Sequence, residues 1–243
     1  MITLRPAAER GEADHGWLHS FHSFSFAEYH DPAHMGWGRL RVLNDDTIAP
    51  GTGFGTHGHR DMEIVSVVLD GALAHRDSLG NGALGGAHEG VIRPGEIQRM
   101  SAGTGVRHSE FNHQQEASTH FLQIWLMPTT LGIAPGYEQI AVAPARTRGA
   151  FTLVASPEGQ AGGQAAVTVN SDARLYLGRF DGDETAELPL PAGRLGYVHV
   201  ARGRAVVNGL ALGPGDAIKL RDEPRVVVAL GEAAEVLVFD LAP

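Results

Sequence analysis

Two short patterns in this chain have the residue types and spacing for metal chemistry: His57-Gly58-His59 and His108-Ser109-Glu110. Side chains alternate across a β-strand, so residues i and i+2 share a face. If the two strands run side by side, four donors converge. Three neutral imidazoles and one carboxylate suit Fe(II), Ni, Cu, Zn or Mn. A six-coordinate ion on four such donors keeps two positions open for water, substrate or dioxygen. Gly51, Gly53 and Gly55 precede the first pair and Gly103 and Gly105 the second, which lets the backbone turn tightly onto each strand. The chain has no cysteine, which excludes disulfides, thiolate zinc sites, iron–sulfur clusters and cysteine nucleophiles. It also lacks a glycine-rich phosphate loop, a nucleophile elbow and an HExxH helix.

The elements that must position these residues read as strands. The 32 glycines and 13 prolines cut the 243 residues into short segments. Several are rich in Val, Ile and Leu: 63–69, 120–126, 196–201, 225–230 and 235–240. Long amphipathic helix patterns are scarce, and many short apolar runs between turn signals predict an all-β sandwich or barrel. A weak repeat divides the chain. Val68-Leu69-Asp70-Gly71 and Arg93-Pro94-Gly95-Glu96 are echoed by Val200-Ala201-Arg202-Gly203 and Gly213-Pro214-Gly215-Asp216. The expected units are 1–140, a metal-binding domain with an N-terminal arm, and 141–243, a second copy. Aligned on the turns, the second copy has Pro189, Pro191 and Leu195 where the first has His57, His59 and Glu63. It has Val228 and Leu230 opposite His108 and Glu110. After His120 the only histidine is His199, so the second copy keeps the fold without the ligands.

The net charge is −9 and no basic cluster occurs, which argues against a phosphate-tracking nucleic-acid surface. No stretch approaches the roughly 20 apolar residues of a membrane helix, and the first residues carry no secretory pattern. Cytoplasmic location is the default expectation. Among other candidates, His22 is a possible lining residue of the site mouth. The remaining N-terminal histidines, His15, His19, His30 and His34, read as part of an arm packed on the barrel. His75, Arg76 and Asp77 are expected to hold a hairpin together. Met100, Trp125 and Met127 are expected in the core.

Gly51-x5-His57-x-His59-x3-Glu63 and Gly105-x2-His108-x3-Asn112 resemble the two cupin motifs. More narrowly, Thr56–Glu63, Ala74–Ser78 and Gln98–Glu110 resemble the pirin family. Phe21-His22-Ser23-Phe24-Ser25-Phe26 and Leu43-Asn44-Asp45-Asp46 look like its bacterial branch, whose members act as quercetin 2,3-dioxygenases. The resemblance covers nearly all of 1–140 and continues more faintly beyond. It implies a bicupin, two β-barrels in one chain with metal in the first only, and gives the ligand role to His57, His59, His108 and Glu110. The implied ion is one divalent transition metal, Fe2+ first, with Ni, Cu, Zn or Mn as alternatives. The implied reaction is cleavage of a flavonol by O2 with release of carbon monoxide, with Glu110 as base. The implied chain is a monomer, because the repeat supplies the barrel–barrel contact internally. Two other readings stay open: a metal-binding regulatory protein acting on a protein partner, and a metal-dependent isomerase or hydrolase. Two departures stand out. Many members have Pro where this chain has Gly58, and the loop between Asp77 and Arg93 looks long and glycine-rich. Glu63, which general cupins often use as a ligand, lies four residues past His59. That is roughly 13 Å along an extended strand, so it is expected to be structural.

Overall fold

The computed structural model describes residues 1–82, 89–160 and 165–243. The middle of the glycine-rich loop, 83–88, lies outside the described residues. The first half forms β1 (Ile2–Arg5), β2 (Gly11–Asp14), β3 (Leu18–His22), β4 (Leu40–Ile48), β5 (Gly53–His59), β6 (Glu63–Asp70), β7 (Leu73–Asp77), β8 (Val91–Ile92), β9 (Glu96–Ser101), β10 (Val106–Asn112), β11 (Thr119–Leu126) and β12 (Gly136–Ala141). The second forms β13 (Thr152–Ser156), β14 (Val167–Thr168), β15 (Ala173–Gly182), β16 (Ala186–Pro189), β17 (Leu195–Val207), β18 (Leu210–Leu212), β19 (Ala217–Arg221) and β20 (Arg225–Leu241). A 3-10 turn at Ala7–Glu9 and an α-helix at Pro144–Thr147 are the helical pieces among the described residues, and none is long and apolar enough to cross a membrane.

The architecture is all-β, as the turn spacing predicts, and is the two-lobed bicupin that the resemblance implies. In the first lobe a four-stranded sheet, β5-β10-β7-β8, faces a seven-stranded one, β12-β9-β6-β11-β4-β3-β2. Leu73 and Ile92 of the first meet Ile48, Val68 and Phe121 of the second. In the second lobe the order is β1-β19-β17-β20-β15-β13-β14, with β16 on β20 and β18 on β17. The strands β17 and β20 are 13 and 17 residues long. Register shifts near Arg202 and Arg204 bend their pairing, as bulges do. The segment matching β6 and β7 thus runs unbroken as β17, and that matching β10 and β11 as β20.

Both faces of the seven-stranded sheet are covered, which is why its strands read as continuous apolar runs rather than alternating ones. On β6, Val65, Val67 and Leu69 belong to a core shared with Leu175, Leu177, Leu237 and Phe239 of the second lobe. Ile64 packs inside the first lobe against Met100 and Val106. On β11, Leu122, Ile124 and Leu126 join the shared core, so Gln123 and Trp125 point the other way, toward the first lobe's interior. Buried in the second lobe is His199, with neither ring nitrogen partnered. Burial lowers its pKa to about 4. The strand β1 crosses to the far lobe and pairs with β19, Ile2 opposite Leu220 and Arg5 opposite Ala217.

Inside the second lobe, Val207, Val226 and Val228 are fully buried in an aliphatic cluster. Val228 pairs with Ala186 on β16, as His108 pairs with His57 on β5. The register thus puts Ala186, not Pro189, at the place of His57. The repeat alignment is out by three positions there, because turn-based alignment cannot see where β16 starts to pair. Neither residue offers a ligand atom, and the valines fill the space a metal would need.

Candidate metal centre

Strand alternation sets the first face. His57 and His59 leave β5 on one side, and β10 lies antiparallel beside it with His108 opposite His57. A β-bulge follows: the pairing slips between His108 and Glu110, so that Glu110 stands opposite Phe54. A Cβ on Gly53 would lie 2.2 Å from the Glu110 carbonyl oxygen and 2.5 Å from Phe111 Cα. Only glycine lets β5 and β10 approach so closely there. At Gly58 the nearest atom to an added Cβ is the Val106 carbonyl oxygen at 3.8 Å, so this departure from the family pattern has no steric reason.

One ring nitrogen from each of His57, His59 and His108 lies within 4.8 Å of the others. Glu110 forms a second such group with His75 and His108. Hydrogen bonds decide which ring nitrogens are bare. Nδ1 of His57 is 2.8 Å from the Gly55 carbonyl oxygen. A carbonyl only accepts, so Nδ1 carries the hydrogen and Nε2 of the neutral ring presents a lone pair. A relay fixes His108 from the other side. Burial opposes ionisation of Asp77, but hydrogen bonds from His75 and Asn81 outweigh it and hold that carboxyl down at about 2. The ionised Oδ2 therefore accepts from His75 Nε2 at 3.0 Å. In the Nε2–H tautomer His75 has a bare Nδ1, 3.4 Å from Nδ1 of His108. His108 donates there and keeps a lone pair on Nε2.

The two bare nitrogens, Nε2 of His57 and Nε2 of His108, face each other at 3.0 Å. Two lone pairs at that distance repel unless a cation lies between or beside them, so this donor set fits a metal ion. Burial first, and then the neighbouring imidazoles, lower His59 to about 4 and His108 to about 3. Both rings are neutral at physiological pH, as metal ligation requires. The two carboxylates differ. Glu110 is buried, and its Oε2 accepts from Gln123 Nε2 at 2.8 Å. Glu63 is fully buried and accepts at Oε2 from Ser101 Oγ at 2.8 Å and from the backbone N–H of Asn170, in the second lobe, at 3.1 Å. It belongs to no metal-holding group among the described residues.

The imidazoles open onto a cavity of about 870 Å³ whose walls include Phe26, Tyr29, Phe54 and Trp125. Trp125 stacks edge-on against His59, with centroids 5.0 Å apart, and Phe26 against Trp125 at 5.4 Å. His22 lines this cavity, and so does His15. None of the N-terminal histidines joins a metal-holding group among the described residues. Met100 is core as expected. Trp125 and Met127 are not: Trp125 is half-buried on the cavity, and Met127, just past the end of β11, is 38% exposed. The hairpin residues His75 and Asp77 do more than hold a turn, since they reach His108.

Sequence reasoning missed Gln123, Asn44 and Asp46 as cavity residues. A glutamine inside the apolar run His120–Leu126 was the available signal. Register aligns His22 with Asn44, Asn44 with Gln123, Gln123 with Ser66 and Ser66 with Gln98. Ser66 Oγ donates to Gln123 Oε1 at 2.9 Å. This bond from Ser66 orients the Gln123 amide that holds Glu110.

A family model described as Pirin matches residues 3–126, and one described as Quercetinase C-terminal cupin domain matches 153–241. A protein of Escherichia coli (strain K12) named quercetin 2,3-dioxygenase is 42% identical over 243 residues, covering 100% of each chain. The "Pirin-like protein" of Caulobacter vibrioides is 40% identical over 242 residues, covering 100% of each. Among solved structures, bacterial pirin YhhW of Escherichia coli in complex with nickel(II) superimposes with a TM-score of 0.90 at 43% identity, covering 100% of both chains.

Proposed function

The chain belongs to the pirin family, and on that premise we propose that it is a metal-dependent dioxygenase that opens flavonols such as quercetin with O2 and releases carbon monoxide. The observation that carries this reading is the facing pair of bare imidazole nitrogens at 3.0 Å, beside a cavity that His57, His59 and aromatic rings line. His57, His59, His108 and Glu110 hold the ion in this reading. Iron(II) is the first candidate, with Ni, Cu, Zn or Mn as alternatives. Held there, the ion would supply Lewis acidity toward the flavonol 3-hydroxyl oxygen.

The chain's own residues do the rest. The aromatic walls take a planar ring system and keep water from its faces. Glu110 accepts the 3-hydroxyl proton, and Gln123 holds the carboxylate in place for that transfer. The Asp77–His75 pair keeps His108 in the tautomer whose Nε2 faces the ion. We further propose a cytoplasmic monomer, since the outer face of the first lobe's large sheet is already covered by the second lobe. Light scattering should give about the 25.8 kDa chain mass.

The test is oxygen uptake with quercetin by protein loaded in turn with each ion, with metal content measured in the same samples. Uptake by at least one form, with carbon monoxide released, is expected. No uptake by any fully loaded form overturns the enzyme reading and leaves the metal-dependent partner-binding one.

A further inference from the structure

The wall of the cavity beside the imidazoles carries polar residues that belong to no metal-holding group among the described residues. Ser20, His22, Asn44 and Asp46 all line the cavity and are all at least nine-tenths buried. Asn44 Oδ1 and His22 Nδ1 have no hydrogen-bond partner. These two atoms are sealed from the cavity, so the polar groups that can meet an occupant are the other end of the Asn44 amide and the Asp46 carboxylate oxygen not bonded to Ser20, both on residues that line it. Asp46 Oδ1 accepts from Ser20 Oγ. These four residues come from neighbouring strands in register, Ser20 opposite Asp46 and His22 opposite Asn44. They form a compact square of polar groups on β3 and β4.

The square has a definite position relative to the chemistry. Asn44 stands one cross-strand step, about 5 Å, from Gln123, and Gln123 holds Glu110. A run of ring contacts, His59 to Trp125, Trp125 to Phe26 and Phe26 to His22, lines the way between the imidazoles and the square. A flavonol with its 3-oxygen at the imidazole end carries its pendant ring on the adjacent carbon, and laid along these rings it brings that ring to the square. There, pendant-ring hydroxyl groups would donate to Asp46 and accept from the Asn44 amide.

Given the flavonol reading above, we propose that Ser20, His22, Asn44 and Asp46 form a hydroxyl-recognition subsite, and that the chain selects flavonols whose pendant ring carries hydroxyl groups over those whose pendant ring is bare. Asn44 and Asp46 are specificity-determining residues here, remote from the bonds that break.

The experiment uses nickel(II)-loaded full-length protein under argon and compares the Kd of quercetin, with two pendant-ring hydroxyls, with that of galangin, which has none. Both share the metal-proximal hydroxyl and carbonyl. Quercetin should bind about 10-fold more tightly, the worth of one net buried hydrogen bond. In Asn44→Leu, and separately in Asp46→Asn, quercetin should weaken toward the galangin value while galangin stays within about twofold. Equal Kd values on the parent protein overturn the subsite, and that comparison needs no variant to fold. So does a variant that weakens both ligands alike. Oxygen uptake on the same samples separates this from the dioxygenase reading. Preferred binding of quercetin without cleavage sinks the enzyme and keeps the subsite. Cleavage without preference does the reverse, and failure of both flavonols to bind sinks both.

Discussion

Glu110 and Glu63 are two buried carboxylates in one lobe with different neighbours, and their glutamine variants should part accordingly. Glu110→Gln keeps the size and one oxygen donor but accepts a proton poorly. Flavonol cleavage per bound metal should fall by ~10²–10⁴, the usual worth of general-base help, with folding intact and metal affinity reduced. Glu63→Gln puts an amide beside the Asn170 N–H and the Ser101 hydroxyl. It should cost about 1–3 kcal/mol of stability and leave turnover per metal near the parent value. Denaturant melts with metal analysis and uptake rates decide it; reversed effects would exchange the two roles. His199 gives a prediction in pH. Its folded pKa is near 4, against about 6.5 unfolded. A depressed base contributes stability that is present above 6.5 and is lost as pH falls from there toward 4. His199→Leu should therefore flatten that part of the stability–pH curve. Parallel urea midpoints for parent and variant across pH 4–7 would count against it.

At the scale of elements, Gly58 is one place where β5 has freedom it does not use. Its φ is not in the left-handed region and a Cβ there meets nothing closer than 3.8 Å. Gly58→Ala should add about 0.4–1 kcal/mol by restricting the unfolded chain, with metal content unchanged. A lower melting temperature would show that β5 needs the glycine. The strands also explain what could be read in advance. The pairs His57/His59 and His108/Glu110 were legible because alternation is a local property of a strand, and the all-β class followed from turns and short apolar runs. The bulge that sets Glu110 opposite Phe54 was not legible, because it arises only when two strands meet. Nor was the row His22–Asn44–Gln123–Ser66, whose members stand far apart in sequence and align only through register. Asp77 and His75 read as a hairpin because the local role of Asp77, accepting the N–H groups of Leu79 and Asn81, masks the longer reach to His108.

At the scale of the whole molecule, one apolar core serves both lobes. Phe24, Leu43, Val67 and Ile124 pack with Leu177, Tyr197, Leu237 and Phe239. Asp70 and Arg202 add an ion pair across the lobes at 3.4 Å. Separating the lobes would expose this core to water, so calorimetry should record one unfolding transition rather than two; two resolved peaks would mean that each lobe is stable alone. The strand β1 ties them in a further way. It belongs by sequence to the metal-binding half and by hydrogen bonding to the other, and the terminal ammonium of Met1 reaches the Arg221 carbonyl, 220 residues away. During synthesis at about 5–20 residues per second, residues 2–5 leave the ribosome roughly 10–40 s before β19 exists to receive them. The first lobe can gather its histidines while this strand still hangs free. That sheet closes only when β1 is drawn across onto a strand made about 210 residues later, so the two lobes are fastened by a strand that waited for its partner.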